Sequence, residues 1–304
     1  MSNYYGGQFM DLGKIIKKLE EVLEVLKNEN SIIAAPEARN KPPELDSKDV
    51  FEELKTLLNS ESWPQAAPDF LICEENEKDK IERADGIISY LGFELNGKNF
   101  LDFGCGEGHV VKHVAGLGAK KSIGYDVKTS ENLTWNQEDG NFLLTTDFEK
   151  VKANAPYDYI ILYDVLDHSD DPVAILSSLR ELMNDNSKVY VRCHPITSRH
   201  GTHQYRKLNK AFVQLVFTED ELKQIGLEND IKQKTYHPLS DNTKWFQKAK
   251  FKIVSHDVVK SPVEEFFKNT KIVASRITRP PYGKGFPDFQ MQQVFNDYTL
   301  IKIN

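Results

Sequence analysis

Cysteine is scarce: Cys73, Cys105 and Cys193 are the only three in 304 residues. They lie far apart and form no Cys-x-x-Cys pair. That excludes a disulfide framework and a cysteine zinc site, and it fits a reducing cytosol. Long apolar runs are also lacking. No window approaches the ~18 apolar residues a membrane span needs. The opening MSNYYGGQFM has no basic stretch followed by an apolar one, so no secretory signal is expected. Positive charge is in deficit, with 39 Lys and Arg against 46 Asp and Glu, a net charge of -7. Such a surface gives no general attraction to nucleic acid or anionic membrane. No internal repeat is present. The expectation from these absences is a cytoplasmic protein with neither a membrane nor a nucleic-acid partner.

What is present is ordinary globular material, 39% hydrophobic and 28% charged. The length suits one large domain or a domain with an appendage. Residues 1–95 read as an N-terminal helical region. From Asp11 to Asn28, Leu12, Ile15, Leu19, Val22 and Leu26 recur at spacings of 3 and 4, an amphipathic helix. The same spacing fits a coiled-coil seam, which leaves a homo-oligomer through this helix open beside simple packing on its own domain. A proline-rich linker at 36–46 follows, where a continuous helix is disfavoured. The pattern predicts a helix over 48–58 capped by Ser47, and another over 77–91 with Ile81, Ala84, Ile87, Ile88 and Leu91 on one face and Gly92 as its stop.

From residue 96 to 304 short apolar runs alternate with helical patterns. NFLDFG, KSIGYDV, FLLTTDF, YDYIILYDVL and SKVYVRC read as strands, and DPVAILSSLRELM as a helix with Pro172 in its first turn. This alternation predicts an α/β doubly wound, mostly parallel sheet with helices on both faces. The alternation stalls at 196–241, which reads as an insertion. There Tyr205, Leu208, Phe212 and Leu215 suggest one helix face, and Thr218 with Glu221 a capping box. FKIVSHDVV and YTLIKI resume the strands, and RPPYGKGFP, spanning 279–287, reads as a lid-like loop or a plain surface loop.

The stretch LDFGCGEGHV, residues 101–110, joins a strand to a helix. Glycines there permit a tight turn and let backbone N–H groups approach a ligand. A dinucleotide fingerprint would want its third glycine at 109, where His109 stands. The spacing is Asp102-x-Gly104-x-Gly106-x-Gly108. A carboxylate at the start of the loop repels a pyrophosphate and suits a ligand with a positive charge, such as an ammonium group. A plain β–α turn is the bland alternative.

At these residues the sequence resembles the class I S-adenosylmethionine-dependent methyltransferases. The loop matches their first motif, which implies that Asp102, Gly104, Cys105, Gly106 and Gly108 hold the amino-acid end of S-adenosylmethionine. Asp126, with Val127 beside it, ends the second strand, where the family places the acid that binds the ribose hydroxyls. Asp147 and Phe148 follow the third strand, where the family places an acceptor for the adenine amino group and a ring beside the base. YDYIILYDVLDHSDDP resembles the fourth-strand signature of the small-molecule, type 11-like branch, with Asp164, Leu166, His168, Asp171 and Pro172 matching and Tyr163 beside them. The resemblance covers about residues 98–195. It implies seven strands, the last antiparallel near the sheet edge; YTLIKI fits that strand.

Methyl transfer from a sulfonium is an in-line displacement, so alignment carries most of the work, about 7–11 kcal/mol. A base is needed only where the acceptor must lose a proton. His168, in the motif, and His194, directly after the fifth strand, are the candidates for it. Each could equally be a structural histidine. His194, His200 and His203 lie close in sequence, yet no acid sits between them, so no metal is expected. Arg192, Arg199, Arg206 and Lys207 could line an anion pocket or a solvated loop. The expected acceptor is a small molecule, with a sugar or sugar nucleotide as a candidate. A macromolecular acceptor and a non-catalytic binding protein are the competing readings. Neither the Asn-Pro-Pro-Tyr of amino-group nucleic-acid methylases nor a Pro-Cys nucleophile occurs where those chemistries would need it.

Overall fold

The computed structural model describes residues 47–66, 76–128, 138–195, 197–199, 208–227, 239–260, 266, 269–277 and 293–303. The chain divides into two compact units, Met1–Leu45 and Asp46–Asn304. The first lies outside the described residues. So do the expected 11–28 helix, the 36–46 linker, the 279–287 loop, Tyr205, Arg206, Lys207, His200 and His203.

Two helices precede the sheet. Helix α1 is Lys48–Leu58, and the backbone N–H of Val50 donates to Ser47 Oγ at its start. Helix α2 is Glu77–Leu91; it ends because Gly92 adopts φ 61°, a left-handed turn that costs glycine little. Both match the spacing-based boundaries. The buried face of α2 is narrower than the apolar spacing implies: Ala84 and Ile88 are buried, while Ile81 is 50% exposed.

Then β1 (Asn99–Phe103), α3 (His109–Gly116), β2 (Lys121–Tyr125), β3 (Glu138–Asp139), β4 (Phe142–Thr145), α4 (Phe148–Ala153) and β5 (Tyr157–Tyr163) follow. After a 3₁₀ turn at Leu166–His168 come α5 (Pro172–Glu181) and β6 (Met183–Cys193). The chain continues through α6 (Val213–Val216), α7 (Glu219–Gln224), α8 (Leu239–Lys248), β7 (Phe251–Lys260), α9 (Lys271–Ile277) and β8 (Gln293–Lys302).

The strands form one sheet in the order β3-β4-β2-β1-β5-β6-β8-β7. β4, β2, β1, β5 and β6 are parallel neighbours. β8 inserts antiparallel between β6 and β7, as the last strand was expected to do. The one departure from seven strands is β3, a two-residue ribbon antiparallel to β4. It is too short to carry a periodic signal. The central strands β1 and β5 bury consecutive residues, Phe100–Asp102 and Ile160–Leu162, because helices cover both faces. Chain order reverses between β1 and β5, which opens a crevice at their carboxyl ends.

A second apolar core lies outside the sheet. Val50, Phe51, Leu54 and Leu58 of α1 pack with Trp63, with residues 211–217 and with Val273 and Ile277 of α9. Helices α1 and α2, which the sequence groups with residues 1–95, therefore belong to the same compact unit as the sheet. The expected helix face through Leu208, Phe212 and Leu215 is not formed. Phe212 has φ 63° and interrupts the run, leaving the four-residue α6. Phe212 and Leu215 are nonetheless buried in this core. The capping box of Thr218 and Glu221 is present, and Glu221 also accepts from the buried Arg276 at 2.6 and 2.8 Å. Trp63 is the keystone: its ring lies 5.3 Å from Phe266 and 6.3 Å from Phe217, and its indole N–H donates to the Ala211 carbonyl at 2.8 Å. Trp63→Ala is expected to lower unfolding free energy by about 3–5 kcal/mol, read by urea denaturation.

Candidate functional site

The crevice between β1 and β5 holds a cavity of about 390 Å³, within the usual range for small-molecule sites. Its floor is the carboxyl end of β1 and the loop after it, with Asp102, Gly104, Cys105, Gly106 and Gly108. Ile161 and Tyr163 of β5 form one wall. Helix α2 forms the other, through Lys80, Arg83, Ala84 and Ile87.

The loop is held by its own backbone. The N–H groups of Gly104 and Cys105 both donate to the Tyr125 carbonyl, at 2.7 and 3.0 Å. The Gly106 N–H donates to Asp126 Oδ2 at 2.8 Å. Gly104 has φ 88°, and a Cβ there would stand 2.4 Å from Val165 Cγ2. At Gly106, φ is 54° and an added Cβ would meet nothing within 4 Å. Close packing therefore requires one glycine, while the other borders open space.

Asp102 is 4% exposed. Burial raises its pKa, Asp126 adds to the rise, and Arg83 opposes it; the result is about 7. A cation in the cavity would relieve both causes. Cys105 is held as a thiol, since burial and the neighbouring Asp102 and Asp126 push its pKa far up. Tyr163 is pushed up to about 12 by burial and stays a neutral phenol.

The other expected residues fall in two further groups. At the carboxyl ends of β2 and β4, Asp126 accepts from Gly106, and Val127 is 78% exposed, unusual for valine. Asp147 is exposed and caps α4 by accepting from the Glu149 N–H at 2.9 Å. Phe148 packs edge-on against Tyr125, with ring centroids 5.5 Å apart. At the ends of β5 and β6, Asp164 stands with φ 59°, in the left-handed region. Its Oδ1 is 2.9 Å from His194 Nε2. The other ring nitrogen of His194 faces the Val294 carbonyl at 3.1 Å. Burial disfavours the charged ring, but Asp164, with Asp167 behind it, outweighs that and raises the pKa. Both ring nitrogens thus face acceptors, Asp164 on one side and the Val294 carbonyl on the other. His168 sits on the 3₁₀ turn, about half exposed, 3.7 Å from Asp167. Neither histidine is among the cavity-lining residues.

Two of the cationic residues considered for an anion pocket have partners within the fold. Arg192 is buried and pairs with Asp297 through two hydrogen bonds, of 2.7 and 2.6 Å. Arg199 donates to the Gln65 carbonyl at 3.1 Å. The cationic wall of the site comes instead from α2. Lys80 pairs with Glu107 of the loop at 2.5 Å, and Arg83 lies beside Asp102 and Tyr163. The signal for this was present in the sequence: positions 80, 83, 84 and 87 are spaced as one helical face. Nothing in the spacing says that this face meets the glycine loop. No group of three or more His, Cys, Asp and Glu side chains among the described residues is arranged to hold a metal. No helix among them is long and apolar enough to cross a membrane.

Residues 76–256 match a family profile described as a methyltransferase domain. A ubiquinone biosynthesis O-methyltransferase of Paraburkholderia phytofirmans is 30% identical over 103 residues, which are 32% of this chain and 44% of that protein. A tRNA U34 carboxymethyltransferase of Campylobacter hominis is 30% identical over 104 residues, 32% of this chain and 36% of that protein. The chain thus spans less than half the length of these curated relatives. A solved S-adenosylmethionine-dependent methyltransferase from Mesorhizobium loti aligns at 13% identity with a TM-score of 0.45, covering 72% of this chain and 98% of its own.

Proposed function

As the chain belongs to the methyltransferase-domain family, we propose that it is an S-adenosylmethionine-dependent methyltransferase acting on a small, hydroxyl-bearing acceptor, with sugars and sugar nucleotides as the first class to try. One observation carries the cofactor: a buried carboxylate, Asp102, and a guanidinium, Arg83, face the same cavity. That pairing fits an amino acid's ammonium and carboxylate together.

Asp102 would bind the ammonium group and Arg83 the carboxylate. The backbone of the loop at Gly106 leaves room for the chain between them. Asp126 accepts from the Gly106 and Lys128 N–H groups and keeps further lone pairs for a diol. Val127, exposed at the end of β2, offers an apolar surface to a base, with Asp147 as an acceptor. When bound, the sulfonium supplies an electrophilic methyl group. The protein's own part is to align and to exclude water. His194 orients Asp164, and Asp164 with Asp167 supplies acceptors for hydroxyl groups at the ends of β5 and β6. The net charge of -7 favours such an acceptor over nucleic acid.

Calorimetric titration with S-adenosylhomocysteine tests this reading. Binding should be one to one and should tighten as pH rises from 6 to 8.5, because Asp102 must be ionised to hold a cation. Below its pKa of about 7, affinity should fall close to tenfold per pH unit. No binding at millimolar ligand would refute the assignment. A panel of acceptors scored by homocysteine-nucleoside release then identifies the methylated class.

A further inference from the structure

Beside the cavity, and sharing Tyr163 with its wall, four side chains form a polar knot around a buried ion pair. Arg192 of β6 is 9% exposed. Its Nε and Nη2 donate to the two carboxylate oxygens of Asp297 on β8. The third arm, Nη1, donates to the Tyr163 hydroxyl. Aromatic rings surround the guanidinium, whose carbon lies 3.9 Å from the Phe295 ring centroid and 4.5 Å from that of Tyr163. The fourth member, Tyr90, comes from α2. Its hydroxyl donates to Asp297 Oδ2 at 3.0 Å, and its ring centroid is 5.4 Å from the same guanidinium.

The knot touches helix α2 at two points. Tyr90 is gripped directly. Arg83 lies with its guanidinium carbon 5.7 Å from the Tyr163 ring centroid, and Tyr163 is itself held by Arg192. Residues 83 and 90 are seven apart, so they share one face of the helix about 10 Å apart along its axis. That face carries the cationic wall of the cavity.

A buried ion pair of this kind is a poor source of stability, because desolvation cancels most of its Coulomb energy. Its value is geometric. A guanidinium has a fixed, planar fork of donors, and here all three arms are used. We propose that Arg192 is a positioning residue for the cofactor cavity: clamped by Asp297, it fixes Tyr163 and, with Tyr90, sets the distance of α2 and its Arg83 from Asp102. This rests on the cofactor reading given above.

The test measures two quantities on each variant of the full chain: the Kd for S-adenosylhomocysteine and the ligand-free Tm. Tyr90→Phe removes a single exposed-side hydrogen bond and keeps the ring. It should weaken binding about three- to tenfold with a Tm change of no more than about 2 °C. Arg192→Lys keeps the charge and loses the fork. It should bind more weakly than wild type and more tightly than Arg192→Met, a partial rescue by the conservative change. A merely structural Arg192 predicts the opposite pattern, with Tm falling in both Arg192 variants while Tyr90→Phe and Arg192→Lys bind like wild type; that result overturns the inference. Should Arg192→Met fail to fold, Tyr90→Phe and Arg192→Lys decide the matter. Wild-type protein that binds no S-adenosylhomocysteine overturns the cofactor reading itself and this inference with it, and is told apart by the wild-type titration alone.

Discussion

Asp102→Asn should weaken cofactor binding and, at neutral pH and above, raise the stability of the ligand-free protein. The two effects have one cause. The carboxylate is 4% exposed and its pKa is about 7, raised by burial and then by Asp126. An acid whose folded pKa lies above its unfolded value of 3.8 stabilises the fold while it is protonated. That contribution is complete below pH 4 or so and is lost as pH rises through about 7. By pH 8.5 the wild-type fold carries a buried charge, costing on the order of 4 kcal/mol at this shift. Asparagine has nearly the same shape and cannot ionise. The Tm of the variant relative to wild type should therefore climb from about pH 4 to pH 7 and level off above it in thermal unfolding. Its affinity for S-adenosylhomocysteine should fall by about thirtyfold to a thousandfold, the loss expected when a buried charge pair loses one partner. A Tm difference that stays flat with pH would mean that Asp102 is not the ionising group.

The second large effect separates two glycines of one loop. Gly104→Ala should damage the fold, and Gly106→Val should damage the site. At 104 a new methyl would stand 2.4 Å from Val165 Cγ2 with φ at 88°. Val165 is β-branched and cannot swing aside easily. Left-handed strain and overpacking together should cost about 2–5 kcal/mol of unfolding free energy. At 106 there is nothing within 4 Å, so only the φ of 54° opposes a side chain. Gly106→Val should cost about 1–2 kcal/mol of stability, read by urea unfolding. Its side chain would fill the space assigned to the ligand, so binding should weaken more than a hundredfold. Equal loss of stability in both variants would contradict the geometry of the loop.

Much of the fold was legible before any coordinates, and the reasons are local. Ser47 and Gly92 mark helix ends because capping and left-handed turns depend on the residue itself and its next few neighbours. The strand β5 announces itself as an apolar run, YIILY, because both sheet faces are covered there. The run through Leu208, Phe212 and Leu215 misled for the converse reason. Its apolar spacing answers to a core, but Phe212 takes a left-handed backbone there and ends any helix. The ribbon β3, two residues long, is beneath any periodic signal.

The site was legible in part. The carboxylate and glycines of the loop lie within seven residues of one another, and their chemistry follows from their order. The rest rests on approach between distant segments. Arg192 and Asp297 are 105 positions apart, and only their meeting turns a candidate anion ligand into a clamp. His194 reads as a possible base from its place after β6, and only the fold shows that its ring meets Asp164 and the Val294 carbonyl.

By itself the sequence determined the alternation of strands and helices, the acid-led glycine turn at 102–108 and the acids that follow β2, β4 and β5, because these depend on side-chain type and short-range spacing. Only the tertiary structure decided which face of α2 walls the cavity, how Arg192 is spent and which groups His194 meets. Those depend on burial and on partners a hundred residues away, and neither is encoded in any local window of the chain.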